Sequence, residues 1–295
     1  MATNRTNTLN AVSVERATPF FRQTNEGSSM DLRASSPPTR VRAIALNTFR
    51  ESVRDRVLYN LILFALVLMG ASIFVSDLSI DQESTFIADL GLSSMIVFGG
   101  LIAIFIGVGL VYKEIDKKTI YSLLSKPVHR YELIVGKYAG LCMTLLLNCA
   151  VMALGTIMAL AYVNRGFTRL ELAVLPAAFL IYLELALLVA VALTFSTFTT
   201  PMLSALFSFA TYVIGHFSGD LQTAASLSKS GLVRVLLTVF YYLLPNLSNF
   251  GFIGEASRGQ MVPVNMALSA SIYAGVYCVI LVSIATFIFQ WRNFK

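Results

Sequence analysis

Two apolar runs of about 20 residues each, 93–112 and 139–162, flank one short polar stretch rich in lysine. About 20 apolar residues is the length an α-helix needs to cross the hydrocarbon core of a bilayer. The stretch between them, 113–138, reads KEIDKKTIYSLLSKPVHRYELIVGKY, so it is a loop tied to one membrane face at both ends. Composition agrees: 56% of the residues are hydrophobic and 13% charged, against about 25% charged in a soluble domain. The formal net charge of +6 does not point to nucleic acid, because the basic residues cluster beside the apolar runs, as the positive-inside rule expects.

Read in order, the chain is an all-α integral membrane protein. Residues 1–39 are polar, lack periodicity and are expected to be disordered. The body of the chain, 40–295, begins with an amphipathic elbow helix at 40–56, with Val41, Ile44, Ala45, Phe49 and Val53 on one face and Arg42, Arg50, Glu51 and Arg54 off it. A basic helix of this kind lies in the membrane interface. Six spans are expected, at 57–75, 93–112, 139–162, 173–195, 202–217 and 266–289. The 76–91 loop has four acidic residues and no Lys or Arg, which puts it outside and 113–138 in the cytoplasm. The outer turn 164–171 carries Arg165 and Arg169 against that rule. The apolar piece 235–244 is too short to cross and suits a re-entrant or interfacial segment before the last span. Both termini are expected in the cytoplasm, with Trp291, Arg292 and Lys295 as the closing anchor.

The 113–138 stretch has more structure than a plain loop. Ile120, Leu123 and Leu124 are spaced i, i+3, i+4 and share a helix face, with Asp116 placed to cap it. Pro127 disfavours helix at Lys126, so this helix stops near Ser125. A second helix can start near Arg130 and run unbroken into the next span. A short amphipathic helix joined rigidly to two spans suits transmission of a push from a soluble partner. A loop merely held by its own caps fits the same residues.

The order Glu114, Thr119, Ser125-Lys126-Pro127, Arg130, Glu132 and Gly136-Lys137 resembles the coupling region of type-2 ABC transporter permeases. It is most similar to the subgroup that includes the permease of the copper-enzyme (nitrous oxide reductase) maturation transporter. The resemblance implies an exporter subunit in the bacterial inner membrane. Two permease chains, expected as a homodimer, would line the path, and two ABC ATPase subunits would dock on the coupling residues Glu114, Thr119, Ile120, Leu123, Leu124, Ser125, Pro127, Arg130 and Lys137. ATP and Mg would be bound by those ATPase subunits, with no cofactor on this chain. His129 departs from the family, which often has Ser or Thr there to form a capping box with Glu132.

No Walker A motif, GxGxxG or HExxH is present, so no catalytic constellation or metal site is indicated. Cys142, Cys149 and Cys278 lie inside apolar runs as small buried residues. Met143, Met152 and Met158 read as filler rather than copper ligands. Glu184 is different, since an ionisable residue inside a span is a functional candidate by default. Three readings fit it: a cation or proton site, part of a substrate path with Asn148, or a packing residue hydrogen-bonded to Asn148 or Tyr182. His216, at the end of the fifth span, reads as an interfacial hydrogen-bonder. Two other functions stay open on the residues alone: an autonomous ion-coupled secondary transporter, and a membrane scaffold for a soluble partner.

Overall fold

The computed structural model describes residues 37–55, 83–116, 130–166, 168–228 and 230–291, with isolated positions between 59 and 71. The expected tail up to residue 36, most of the first expected span and the centre of the coupling stretch, 117–129, lie outside the described residues. Those described are helical, without a strand among them.

Helix α1 spans Pro37–Val53. It starts earlier than the sequence reading put it, with the two prolines in the first turn, where a missing N–H costs nothing. Its buried stripe is Ala45, Thr48 and Ser52, and it packs against α3, Arg130–Val163. The expected face included Phe49 and Val53, which are only half-buried. The physical reason lies on α3. Gly136 and Gly140 have no side chain, so the two backbones approach closely, with Ile44 lying over Gly136 and Ala45 and Thr48 over Gly140.

Helix α2, Glu83–Asp116, has 34 residues and is about 51 Å long, well beyond a hydrocarbon core of about 30 Å. It starts inside what was expected to be the outer loop. Glu83 sits in its first turn, where a negative charge favours helix, and Ile87, Ala88 and Leu92 are buried. At its other end it runs into the coupling stretch as far as Asp116, and α3 leaves that stretch at Arg130.

Helix α4, Arg169–Phe198, is the centre of the bundle. It is apolar all round, as a helix surrounded by protein is, and α2, α3, α5 (Pro201–His216) and α9 (Val264–Trp291) pack on it. Close packing with α2 depends on Gly99 and Gly107, where an added Cβ would meet Leu185 at 2.5 Å and Ala192 at 2.9 Å. The turn before α4 is built by Glu171. Its carboxylate accepts from Asn164 Nδ2 (2.9 Å), from the Thr168 backbone N–H (2.6 Å) and from the Thr168 hydroxyl, completing a capping box.

After α5 come α6 (Ser218–Leu227), α7 (Gly231–Leu243), a 3-10 turn at Leu247–Phe250 and the short α8 (Ile253–Ala256). Among the described residues, α2, α3, α4 and α9 are long and apolar enough to cross a bilayer alone. Two bent pairs, α5 with α6 at 64° and 231–242 with 247–256 at 48°, raise the number to six if each pair is one span. The protein is therefore a multi-pass, all-α membrane protein. The expected span 57–75 lies mostly outside the described residues, and the bent pair at 231–256, a broken span or a re-entrant loop, covers the expected re-entrant segment.

Candidate functional site

Glu184 sits midway along α4 with 1% of its side chain exposed. Neither of its oxygens makes a hydrogen bond among the described residues. Its neighbour is His216, the last residue of α5, whose Nε2 lies 3.4 Å from Glu184 Oε1. That is ion-pair distance, longer than the about 2.7–2.9 Å of a charge-assisted hydrogen bond. The imidazole Nδ1 lies 3.3 Å from the Tyr212 backbone oxygen, and the two rings meet edge to face at 4.8 Å. Tyr212 in turn donates its hydroxyl to the Ile96 carbonyl of α2 at 3.3 Å, and its ring lies against Gly100. Three helices thus meet at one buried carboxylate.

The expected partners of Glu184 are not the ones it has. Tyr182 is two residues away on the same helix, and i, i+2 side chains do not face each other. Asn148, on α3, is buried with both amide atoms lacking a hydrogen bond among the described residues. His216 was legible as a partner from chain geometry. Glu184 and His216 are each 16 positions from Thr200, the N-cap of α5. In an antiparallel helical hairpin with so tight a turn, equidistant residues share a depth, because both arms rise by the same amount per residue.

Beside His216 the chain breaks at Phe217 and bends into α6. The Phe217 N–H still donates to the Val213 carbonyl at 3.3 Å, and a polar knot ties the start of α6 to the segment around Asn246. Asn246 Oδ1 accepts from the Ser218 hydroxyl, the Ser248 hydroxyl (2.6 Å) and the Ser248 N–H (3.1 Å), while the Asn246 N–H donates to the Tyr273 hydroxyl at 2.8 Å. Gly215 lets this segment approach: an added Cβ would lie 2.7 Å from Leu247 and 2.9 Å from the Pro245 carbonyl. Next to the knot is a pocket of about 450 Å³ lined by Ser248, Asn249, Met266, Ser269, Ala270 and Tyr273. Sequence reasoning missed it, since its walls come from two separate elements, the 3-10 turn and the first turns of α9.

Of the coupling residues, Thr119, Ile120, Leu123, Leu124, Ser125 and Pro127 lie outside the described residues, Glu114 is in the last turns of α2, and Arg130 opens α3. Glu132 and Lys137, in the first turns of α3, are both buried. Cys142, Cys149 and Cys278 are free thiols, and no group of three or more metal-ligating side chains occurs among the described residues.

The family model for ABC-2 family transporter proteins matches residues 42–291. No curated protein matches the chain.

Proposed function

The chain belongs to the ABC-2 family of transporter proteins and is thus a membrane subunit of an ABC transporter; from that premise we propose that it is the permease of an exporter driven by a separate ATPase through the 113–138 stretch. The observation that carries the reading is the way this stretch is mounted. Helix α2 continues into it to Asp116, α3 emerges from it at Arg130, and α1 is clamped on α3 just beyond, at Gly136 and Gly140. A push on the stretch therefore acts on two long stiff helices, and α2 and α3 both pack on the central α4 that carries Glu184. Two copies of the chain enclose the path and two ATPase subunits, which bind ATP and Mg, dock on the cytoplasmic side, where both termini also lie. The order of residues from Glu114 to Lys137 supports the copper-enzyme maturation subgroup within the family. Glu184 is the polar group we assign to the path.

Co-purification tests the proposal. A tagged permease solubilised from its native membrane should bring down an ABC ATPase at equal stoichiometry, and hydrolysis in that complex should depend on the intact 113–138 stretch. A permease that moves its cargo in liposomes without any ATPase would overturn it in favour of ion-coupled secondary transport.

A further inference from the structure

We propose that Glu184 and His216 together form a single-proton binding site at the junction of α2, α4 and α5, loaded and unloaded through His216. The inference goes beyond the transport reading and rests on the pair itself, whatever the cargo. The Tyr212 backbone oxygen, 3.3 Å from Nδ1, can only accept, so Nδ1 carries a hydrogen. In a neutral imidazole this leaves Nε2 as a bare acceptor. Nε2 faces Glu184 Oε1 at 3.4 Å, and an ionised carboxylate is also acceptor-only. Two lone pairs facing each other repel, whereas one proton between them makes the contact attractive. It does so whether it is written as imidazolium with carboxylate or as imidazole with carboxylic acid. The atom balance is one proton gained by the pair, with no other bond made or broken.

Access is one-sided. Glu184 is 1% exposed and His216 is 32% exposed, so of the two only the imidazole reaches the surface of the chain. Helix α2 has no charged residue between Asp89 and Lys113. Among the described residues, the titratable groups on the helices around the pair include Tyr212 on α5, Tyr182 on α4, Tyr138, Cys142 and Cys149 on α3, and Tyr273, Tyr277 and Cys278 on α9; the charged ones are Glu132 and Lys137 in the first turns of α3, Glu171 in the first turn of α4, and Asp220 on α6, which is exposed. Losing the proton sets two acceptors against each other at the joint where α5 gives way to α6.

The chain has two histidines, so the full-length His129→Gln protein with ring-15N histidine carries His216 as its single reporter. In phosphatidylcholine–phosphatidylglycerol nanodiscs, the expected spectrum has Nδ1 protonated throughout and one titration at Nε2. In Glu184→Gln the Nε2 midpoint should move by at least one pH unit. An Nδ1 that is unprotonated, or a midpoint that Glu184→Gln leaves in place, overturns the proposal. Should Glu184→Gln fail to assemble, infrared spectroscopy on the unaltered pair decides. A buried carboxyl band that changes at the same pH as the Nε2 signal supports the shared proton, and one that is indifferent to it refutes it.

Discussion

The backbone oxygen of Ala45 lies 2.5 Å from the place a Cβ would occupy on Gly140. No side chain fits there, so the elbow helix and the head of α3 are held as one body by the absence of an atom. Gly140→Ala should therefore force the helices apart. Overpacking of this kind costs about 1–3 kcal/mol, read as a lower unfolding temperature of the purified permease. Gly275→Ala is the control, because no neighbouring atom among the described residues lies within 4 Å of the place its Cβ would take. There the better helix propensity of alanine should be neutral or stabilising by up to about 1 kcal/mol. Equal effects at the two sites would contradict the clamp.

At the other end of the bundle, Thr168 and Glu171 close the turn before α4 through the capping box. Thr168→Ala removes the side-chain cap and should cost about 1 kcal/mol. ATPase coupling should be unchanged, because this end of α4 is far along the helix from the coupling stretch. Thermal unfolding and substrate-stimulated hydrolysis, measured on the same preparation, separate the two effects.

Much of this architecture was legible before any coordinates. An all-α membrane protein follows from run length and charge, which are local properties of the chain. What sequence reasoning misplaced was set by contacts between distant segments. The buried face of α1 is Ala45, Thr48 and Ser52 rather than a face including Phe49 and Val53 because of two glycines roughly 90 residues further on. Helix α2 reaches back to Glu83 because a polar first turn is held by packing lower down, at Ile87, Ala88 and Leu92, which apolar run length does not register. Glu184 stood out as a lone charge in an apolar run. Its partner was missed because His216 was weighed on its own rather than by its depth in the hairpin. The pocket beside Asn246 needs Ser248 and Tyr273 to meet, and no periodicity encodes that meeting.

Orientation is open to a direct test. A cysteine at Ser79 should react with a membrane-impermeant thiol reagent added from outside, and one at Ser122 should stay unlabelled until the membrane is opened. The native thiols are half-buried or buried and give a low background. Labelling in the opposite order would turn the coupling stretch away from the cytoplasm and remove the proposed ATPase from reach.

For Glu184, the conservative change Glu184→Gln keeps the size of the side chain and removes its charge. Transport in reconstituted complexes should slow, while the amount of protein in the membrane and its ATPase association stay at wild-type levels. Loss of the protein from the membrane would instead mark Glu184 as a packing residue. Both outcomes are read from one preparation by immunoblot and by cargo flux.

The strongest claim on the chain is that ATP-driven motion enters through 113–138. Motion of a soluble subunit reaches a span only through a contact that resists compression. Helices α2 and α3 supply stiff rods on either side of the stretch. The apolar face expected for Ile120, Leu123 and Leu124 supplies a knob for a groove on the ATPase. Interface hot spots are few and central, each worth about 2 kcal/mol or more on truncation. Leu123→Asp, and Leu123 and Leu124 changed together to Ala, should thus weaken ATPase association by at least about 30-fold or uncouple hydrolysis from transport. The α1–α3 clamp and the central packing on α4 lie outside this stretch, so the unfolding temperature of the isolated permease should hold. Intact association with intact coupling would remove the stretch as the transmission element. A fall in unfolding temperature alone would reassign it to folding, with the drive entering elsewhere on the cytoplasmic face.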